Sequence, residues 1–130
     1  MQALTKAEEE IMRYVWELGE CSVGTIRDAI AAKHPNEVPA QSTVSTVLKH
    51  LRDKKFIGHR AFGRTFIYHP LVTQEEYSSR KLKGIVSRFF GGSAKRMVSF
   101  LVEENGLSLK ELNELTQHLN DGESSEQKEK

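Results

Sequence analysis

The side chains able to do chemistry cluster between Gln41 and His69. The cations there are Lys49, Arg52, Lys54, Lys55, Arg60 and Arg64, and the only acid is Asp53. His50, His59 and His69 share the stretch with the hydroxyls of Ser42, Thr43, Ser45 and Thr46. Cations with few compensating acids suit a polyanion, and hydroxyls and imidazoles can both donate and accept at base edges. A second basic stretch, Arg80, Lys81, Lys83, Arg88, Lys95 and Arg96, has no acid between Tyr77 and Val102. The formal net charge of +1 therefore hides an uneven distribution, with acids concentrated before residue 40 and after residue 102. A solvated charged face is the plainer reading of charge alone.

Catalytic constellations are missing from the pattern. The histidines at 34, 50, 59, 69 and 118 show no HxxxH or HxH spacing. His59 and His69 could meet across a hairpin, but a metal would need further ligands, so no metal site and no cofactor are expected. Cys21 is the single cysteine and has no CxxC partner; it reads as a buried structural thiol and rules out an internal disulfide. Gly91-Gly92 lacks the GxGxxG pattern and a Walker lysine, and reads as a helix break. No Ser/His/Asp set is suggested, so the chain is not expected to be an enzyme.

The elements that must position the cationic stretch follow from periodicity. Thr5-Lys6-Ala7-Glu8 forms a capping box, and Ala7, Ile11, Val15 and Leu18 recur at helical spacing until Gly19, predicting a helix over 6–18. Met12, Tyr14 and Trp16 lie beside that stripe. Ser22 caps a second helix with Val23, Ile26, Ala29 and Ile30 inward, stopped before Pro35. A third helix is predicted over 41–54, with Val44, Val47, Leu48 and Leu51 on one face and Thr43, Ser45, Thr46, Lys49, His50 and Arg52 elsewhere. Residues 56–62 and 65–68 read as strands around Gly63, a β-hairpin ended by Pro70. Capping boxes at Thr73 and Ser108, and an Asn105-Gly106 stop, frame three further helices. Their apolar faces carry Leu82, Ile85, Val86, Phe89 and Phe90, then Met97, Val98, Leu101 and Val102, then Leu109, Leu112, Leu115 and Leu119.

Three helices followed by a hairpin is the winged helix-turn-helix layout, in which the third helix enters the DNA major groove. The expected fold is mainly α: a winged helix-turn-helix DNA-binding domain over 1–72, a C-terminal helical dimerisation domain over 73–120, and a disordered tail over 121–130. Thr43, Ser45, Thr46 and His50 are the candidates for base edges. Ser42, Lys49, Arg52, Arg60 and Arg64 are the candidates for phosphates. So short a C-terminal portion cannot cover its own apolar faces, so a homodimer is expected through Leu82, Ile85, Val86, Phe89, Phe90, Met97, Val98, Leu101, Leu112 and Leu115. Two readings stay open beside a DNA-binding protein: a winged-helix module docking an acidic partner, and a regulator with a ligand in the dimer cleft. With 38% hydrophobic and 28% charged residues among 130, and no long apolar run or signal-like N-terminus, a cytoplasmic protein without membrane insertion is expected.

Specific runs sharpen this. Leu4-Thr5-Lys6-Ala7-Glu8 with Ile11 to Trp16 resembles the opening of the penicillinase repressor family. Gln41-Ser42-Thr43-Val44-Ser45-Thr46-Val47-Leu48-Lys49-His50-Leu51 resembles its recognition helix. Lys54-Lys55-Phe56-Ile57, Gly63-Arg64, Tyr68 and Pro70-Leu71-Val72 resemble its wing. The resemblance runs from about residue 4 to 120. It implies a homodimeric repressor of resistance operons occupying operator dyads on double-stranded DNA, with induction in the β-lactam branch by a pathway from a membrane sensor-protease. It carries Thr43, Ser45, Thr46, Lys49, His50, Arg60 and Arg64 over as DNA-facing. Three departures stand out. The paired CxC motifs of the copper-responsive branch are absent. Ser99 precedes Phe100 where β-lactam repressors are cut after Asn. His50 stands where arginine is common.

Overall fold

The computed structural model describes residues 2–114 and 117. Leu115 and Leu119, and the tail over 121–130, lie outside the described residues. Helices α1 (Lys6–Leu18), α2 (Val23–Lys33) and α3 (Gln41–Asp53) precede an antiparallel hairpin of β1 (Ile57–Phe62) and β2 (Thr65–Pro70), followed by α4 (Gln74–Phe89) and α5 (Ala94–Asn105). Residues 109–114 are again helical. The architecture is mainly helical, and its first part is a winged helix-turn-helix. By internal packing the chain forms two compact units, Met1–Ser79 and Arg80 onward.

The caps written in the sequence are made. Thr5 Oγ1 accepts from Glu8 N–H at 3.2 Å, and Glu8 Oε1 accepts from Thr5 N–H at 2.8 Å. Ser22 and Thr25 form the equivalent box on α2, and the Thr73 and Ser108 hydroxyls accept from Glu76 and Glu111 N–H. Each such cap stabilises its helix by about 1 kcal/mol.

The core of the first unit joins Ile11, Met12 and Val15 of α1, Cys21, Ile26 and Ile30 of α2 and its approach, Val44, Leu48 and Leu51 of α3, and Phe56, Ile57 and Tyr68. The inward face of α1 is rotated from the predicted stripe: Met12 and Glu8 are buried, whereas Ala7 and Leu18 are exposed. Glu8 goes inside because Lys54, just beyond α3, meets it there. The hairpin does not stand on its own two strands. Cys21 N–H donates to Tyr68 O at 3.0 Å and Tyr68 N–H donates to Cys21 O at 2.7 Å, a bridge that ties β2 to the turn between α1 and α2. Burial pushes the Cys21 thiol up to about 11, so it stays protonated and unreactive at neutral pH.

The first unit runs past residue 72 because Tyr77 on α4 belongs to it. Its ring lies 5.8 Å from Trp16 and 5.7 Å from Phe56, and its hydroxyl donates to Glu9. Trp16 Nε1 donates to Val72 O at 2.7 Å, fixing the exit of the chain from the hairpin. Burial and the Glu9 carboxylate push the Tyr77 phenol up to about 12.

Lys55 takes φ +66°, the left-handed conformation, as α3 turns into β1. That conformation costs a residue with a Cβ about 1 kcal/mol. Lys55→Gly is therefore expected to raise the unfolding free energy by about 1 kcal/mol, less the chain entropy glycine adds when unfolded, seen as a higher urea midpoint. A lower midpoint would show that the lysine side chain contributes more than the strain it causes.

Candidate nucleic-acid interface

α3 sorts its residues cleanly. Val44, Leu48 and Leu51 are buried and Val47 is half-buried, while Gln41, Ser42, Thr43, Ser45, Thr46, Lys49, His50 and Asp53 are exposed and Arg52 is half-buried. With 100° between residues, Ser42, Thr46, Lys49 and Asp53 lie farthest from the core, and Ser45 and His50 flank them. Thr43 sits at the edge, beside Val47, and lines a cleft of ≈ 580 Å³ with Glu10, Arg13 and Tyr14 of α1 and Lys33 of α2. The Thr46 hydroxyl donates to Ser42 O at 2.9 Å, which leaves its oxygen lone pairs and its methyl group to face outward.

Two anchors hold α3. Arg27 Nε donates to Pro39 O at 3.0 Å, fixing the loop before it. At the other end Lys54 Nζ donates to Glu8 Oε1 at 2.6 Å and to Ala3 O at 3.0 Å. Burial alone would push the Glu8 carboxyl up, but Lys54 and the Thr5 N–H and hydroxyl together hold it below its usual range. The N-cap of α3 is Ala40, with no side-chain cap and no acid in the first turn. Its leading N–H groups are thus uncapped by side chains, at a helix end whose dipole favours anions.

The wing is built from six cross-strand pairs, from Ile57 with Pro70 to Phe62 with Thr65. Gly63 closes it at φ +63°, which a two-residue turn requires. Arg64 is exposed at the tip. Arg60 is not a free cation: Nη2 lies 3.6 Å from Glu20 Oε2, and the guanidinium sits 5.8 Å over the Phe62 ring. Both members of the Arg60–Glu20 pair are more than half exposed, so phosphate could displace the carboxylate at little cost.

His59 and His69 do not meet. His59 pairs with Tyr68 and His69 with Gly58, so the two imidazoles lie on opposite faces of the hairpin. Among the described residues no three His, Cys, Asp or Glu side chains gather as metal ligands. Also among them, no helix is long and apolar enough to cross a membrane.

The model of the penicillinase repressor family matches residues 4–121. The chain belongs to that family. It is a family of transcriptional repressors, not of enzymes. The penicillinase repressor of Bacillus licheniformis is 30% identical over 116 residues, 89% of this chain and 88% of that protein. The methicillin resistance regulatory protein MecI of Mammaliicoccus sciuri is 26% identical over 117 residues, 90% of this chain and 93% of that one. The solved DNA-binding domain of the repressor BlaI aligns with a TM-score of 0.48 at 22% identity, over 59% of this chain and 94% of that domain.

Sequence periodicity could not place every member of this repressor's surface. Phe62 and Phe66 are exposed on the wing although their type suggests a core. The signal available was their position beside Gly63-Arg64, since residues at a hairpin tip extend beyond the body that the strands pack against.

Proposed function

We propose that this repressor works as a homodimer that occupies a pseudo-palindromic operator in the cytoplasm. Each α3 enters a major groove and each wing lies on the adjacent backbone. The observation that carries the reading is α3 itself: a row of short hydroxyl, imidazole and cationic side chains, exposed, rigidly backed, and anchored at both ends. In this reading Ser45, Thr46 and His50 read base edges, with Thr43 reaching them from the flank. Ser42, Lys49, Arg52, Arg60 and Arg64 hold phosphates. Thr46 meets a base through its methyl group or as an acceptor, which favours a thymine methyl or an amino group over a carbonyl.

Support for the dimer comes from the second unit. The buried hydrophobic residues of the described chain run from Ile11 to Tyr68 and none lies on α4 or α5. Leu82, Phe89, Phe100, Leu101 and Leu109 are exposed, Phe89 at 74%. Ile85, Val86, Phe90, Met97, Val98 and Leu112 are half-buried beside them. A second copy of the same helices would cover these faces. The names of the relatives suggest an antibiotic-resistance operon as the target. A membrane sensor-protease pathway would then act on α5, the helix that carries Ser99-Phe100.

Footprinting followed by titration of the protected duplex tests this. Arg64→Ala should weaken binding to operator and random DNA alike and lower the salt slope by about 1. Thr46→Ala should cost discrimination at one base pair, by about 1–3 kcal/mol, and leave random DNA unaffected. A protein that gives no sequence-selective protection would instead be a docking module for an acidic partner.

A further inference from the structure

We propose that Phe62 is an apolar wedge that enters the minor groove next to the major groove read by α3 and loosens a base step there. The inference rests on the DNA-binding reading above and adds to it a way of reading how readily the duplex deforms. The two faces of the hairpin are unlike. One carries Ile57, His59, Phe66 and Tyr68, with Ile57 and Tyr68 buried in the core and the Phe66 ring 5.0 Å from His59. The other carries Arg60 and Phe62, and there Phe62 is 64% exposed.

Phe62 ends β1 immediately before the Gly63-Arg64 turn, where polar turn residues would otherwise serve. Its ring contact is the Arg60 guanidinium, 5.8 Å from the ring centroid. That cation is itself steadied by Glu20 at 3.6 Å. The ring is therefore supported from one side and open on the other. The surroundings select the occupant: the hairpin carries no acid between Lys54 and Gln74, Arg64 follows Phe62 in the turn, and the one carboxylate brought to Arg60, that of Glu20, is an exposed pair that phosphate can replace. A neutral apolar tip flanked by arginines on a wing continuous with α3 matches duplex DNA, whose phosphates meet the cations while an opened base step meets the ring. Apolar wedges flanked by cations unstack such steps, and pyrimidine–purine steps open most easily. Arg60 in this arrangement positions Phe62 as well as meeting phosphate.

Selection from a random-sequence duplex pool, run in parallel with the wild-type protein and with Phe62→Ala, decides the matter. The wild type should enrich a core motif read by α3 and, at a fixed offset, a pyrimidine–purine step. Phe62→Ala should keep the core motif and lose the step, binding the wild-type-selected duplex about tenfold more weakly. Phe62→Leu, which keeps an apolar tip, should keep most of the step preference. A 2-aminopurine placed in that step should brighten on binding wild type and stay quenched with Phe62→Ala. Identical motifs from wild type and Phe62→Ala would overturn the wedge while leaving DNA reading by α3 intact. Failure of both proteins to enrich any motif would overturn the DNA-binding reading and the wedge with it.

Discussion

Lys54→Met should destabilise the repressor by about 3 kcal/mol at neutral pH, and the loss should shrink as the pH falls. Lys54 and Glu8 are 2.6 Å apart, with their side chains only 21% and 4% exposed. Removing one partner of a buried pair leaves an uncompensated charge, a cost of about 3–5 kcal/mol, and the partly exposed Lys54 end places this pair at the lower limit. The sign with pH follows from linkage. In the wild type the Glu8 pKa is lowered in the folded state, so its stabilisation is present above the unfolded value and is lost as pH falls through the folded one. Without Lys54 only the Thr5 hydrogen bonds oppose burial, the largest single influence on this carboxyl, and the Glu8 pKa is expected to rise above the unfolded value. The variant then loses stability as pH rises through that higher value and recovers it on acidification. Urea unfolding of both proteins at about pH 7 and about pH 4 should thus show a gap that narrows in acid. A gap independent of pH would mean that Lys54 acts through its hydrocarbon stem. Glu8→Gln added to Lys54→Met should restore much of the loss, since glutamine keeps the capping box and removes the orphan charge.

Phe89→Asp should separate the repressor into single chains and lower its affinity for the footprinted duplex by about a hundredfold or more. At a side chain 74% exposed in one chain, a surface change would ordinarily shift stability by less than about 0.5 kcal/mol. A large effect therefore requires that a second copy cover the position, where an unpaired carboxylate costs several kcal/mol. Sedimentation equilibrium should give the wild type about twice the 14.8 kDa chain mass and the variant the chain mass itself. The affinity falls because two linked recognition helices bind far more tightly than one. Emission from Trp16, the only tryptophan, should be unchanged, since it packs in the first unit. A wild type sedimenting as one chain, or a variant still paired, would sink the interface.

The order of elements was legible because each carries its signal locally. The Thr5–Glu8 box, the Val44–Leu48–Leu51 stripe and the Gly63 turn are patterns within a few residues, and caps, helix faces and turns depend on little more. Partner identity is not local. Lys54 reads equally well as a charge complementing the end of α3, and only folding brings it to a carboxylate 46 residues away. The rotated face of α1 follows from that same pair, because periodicity marks which stripe is apolar but not that a buried glutamate will extend it.

Residue order alone dictates that three amphipathic helices and a hairpin form, and that cations and hydroxyls gather on the third helix and the wing. How those groups are held, and which are already engaged, is set by the packing of distant segments. That packing sets Thr43 at a cleft edge, occupies Arg60 with Glu20, draws Tyr77 into the first unit, stitches Cys21 to Tyr68 and leaves Phe62 open at the tip. The difference is one of range: backbone propensity and periodicity act over a turn or a strand, whereas burial and charge pairing depend on what another part of the chain brings alongside.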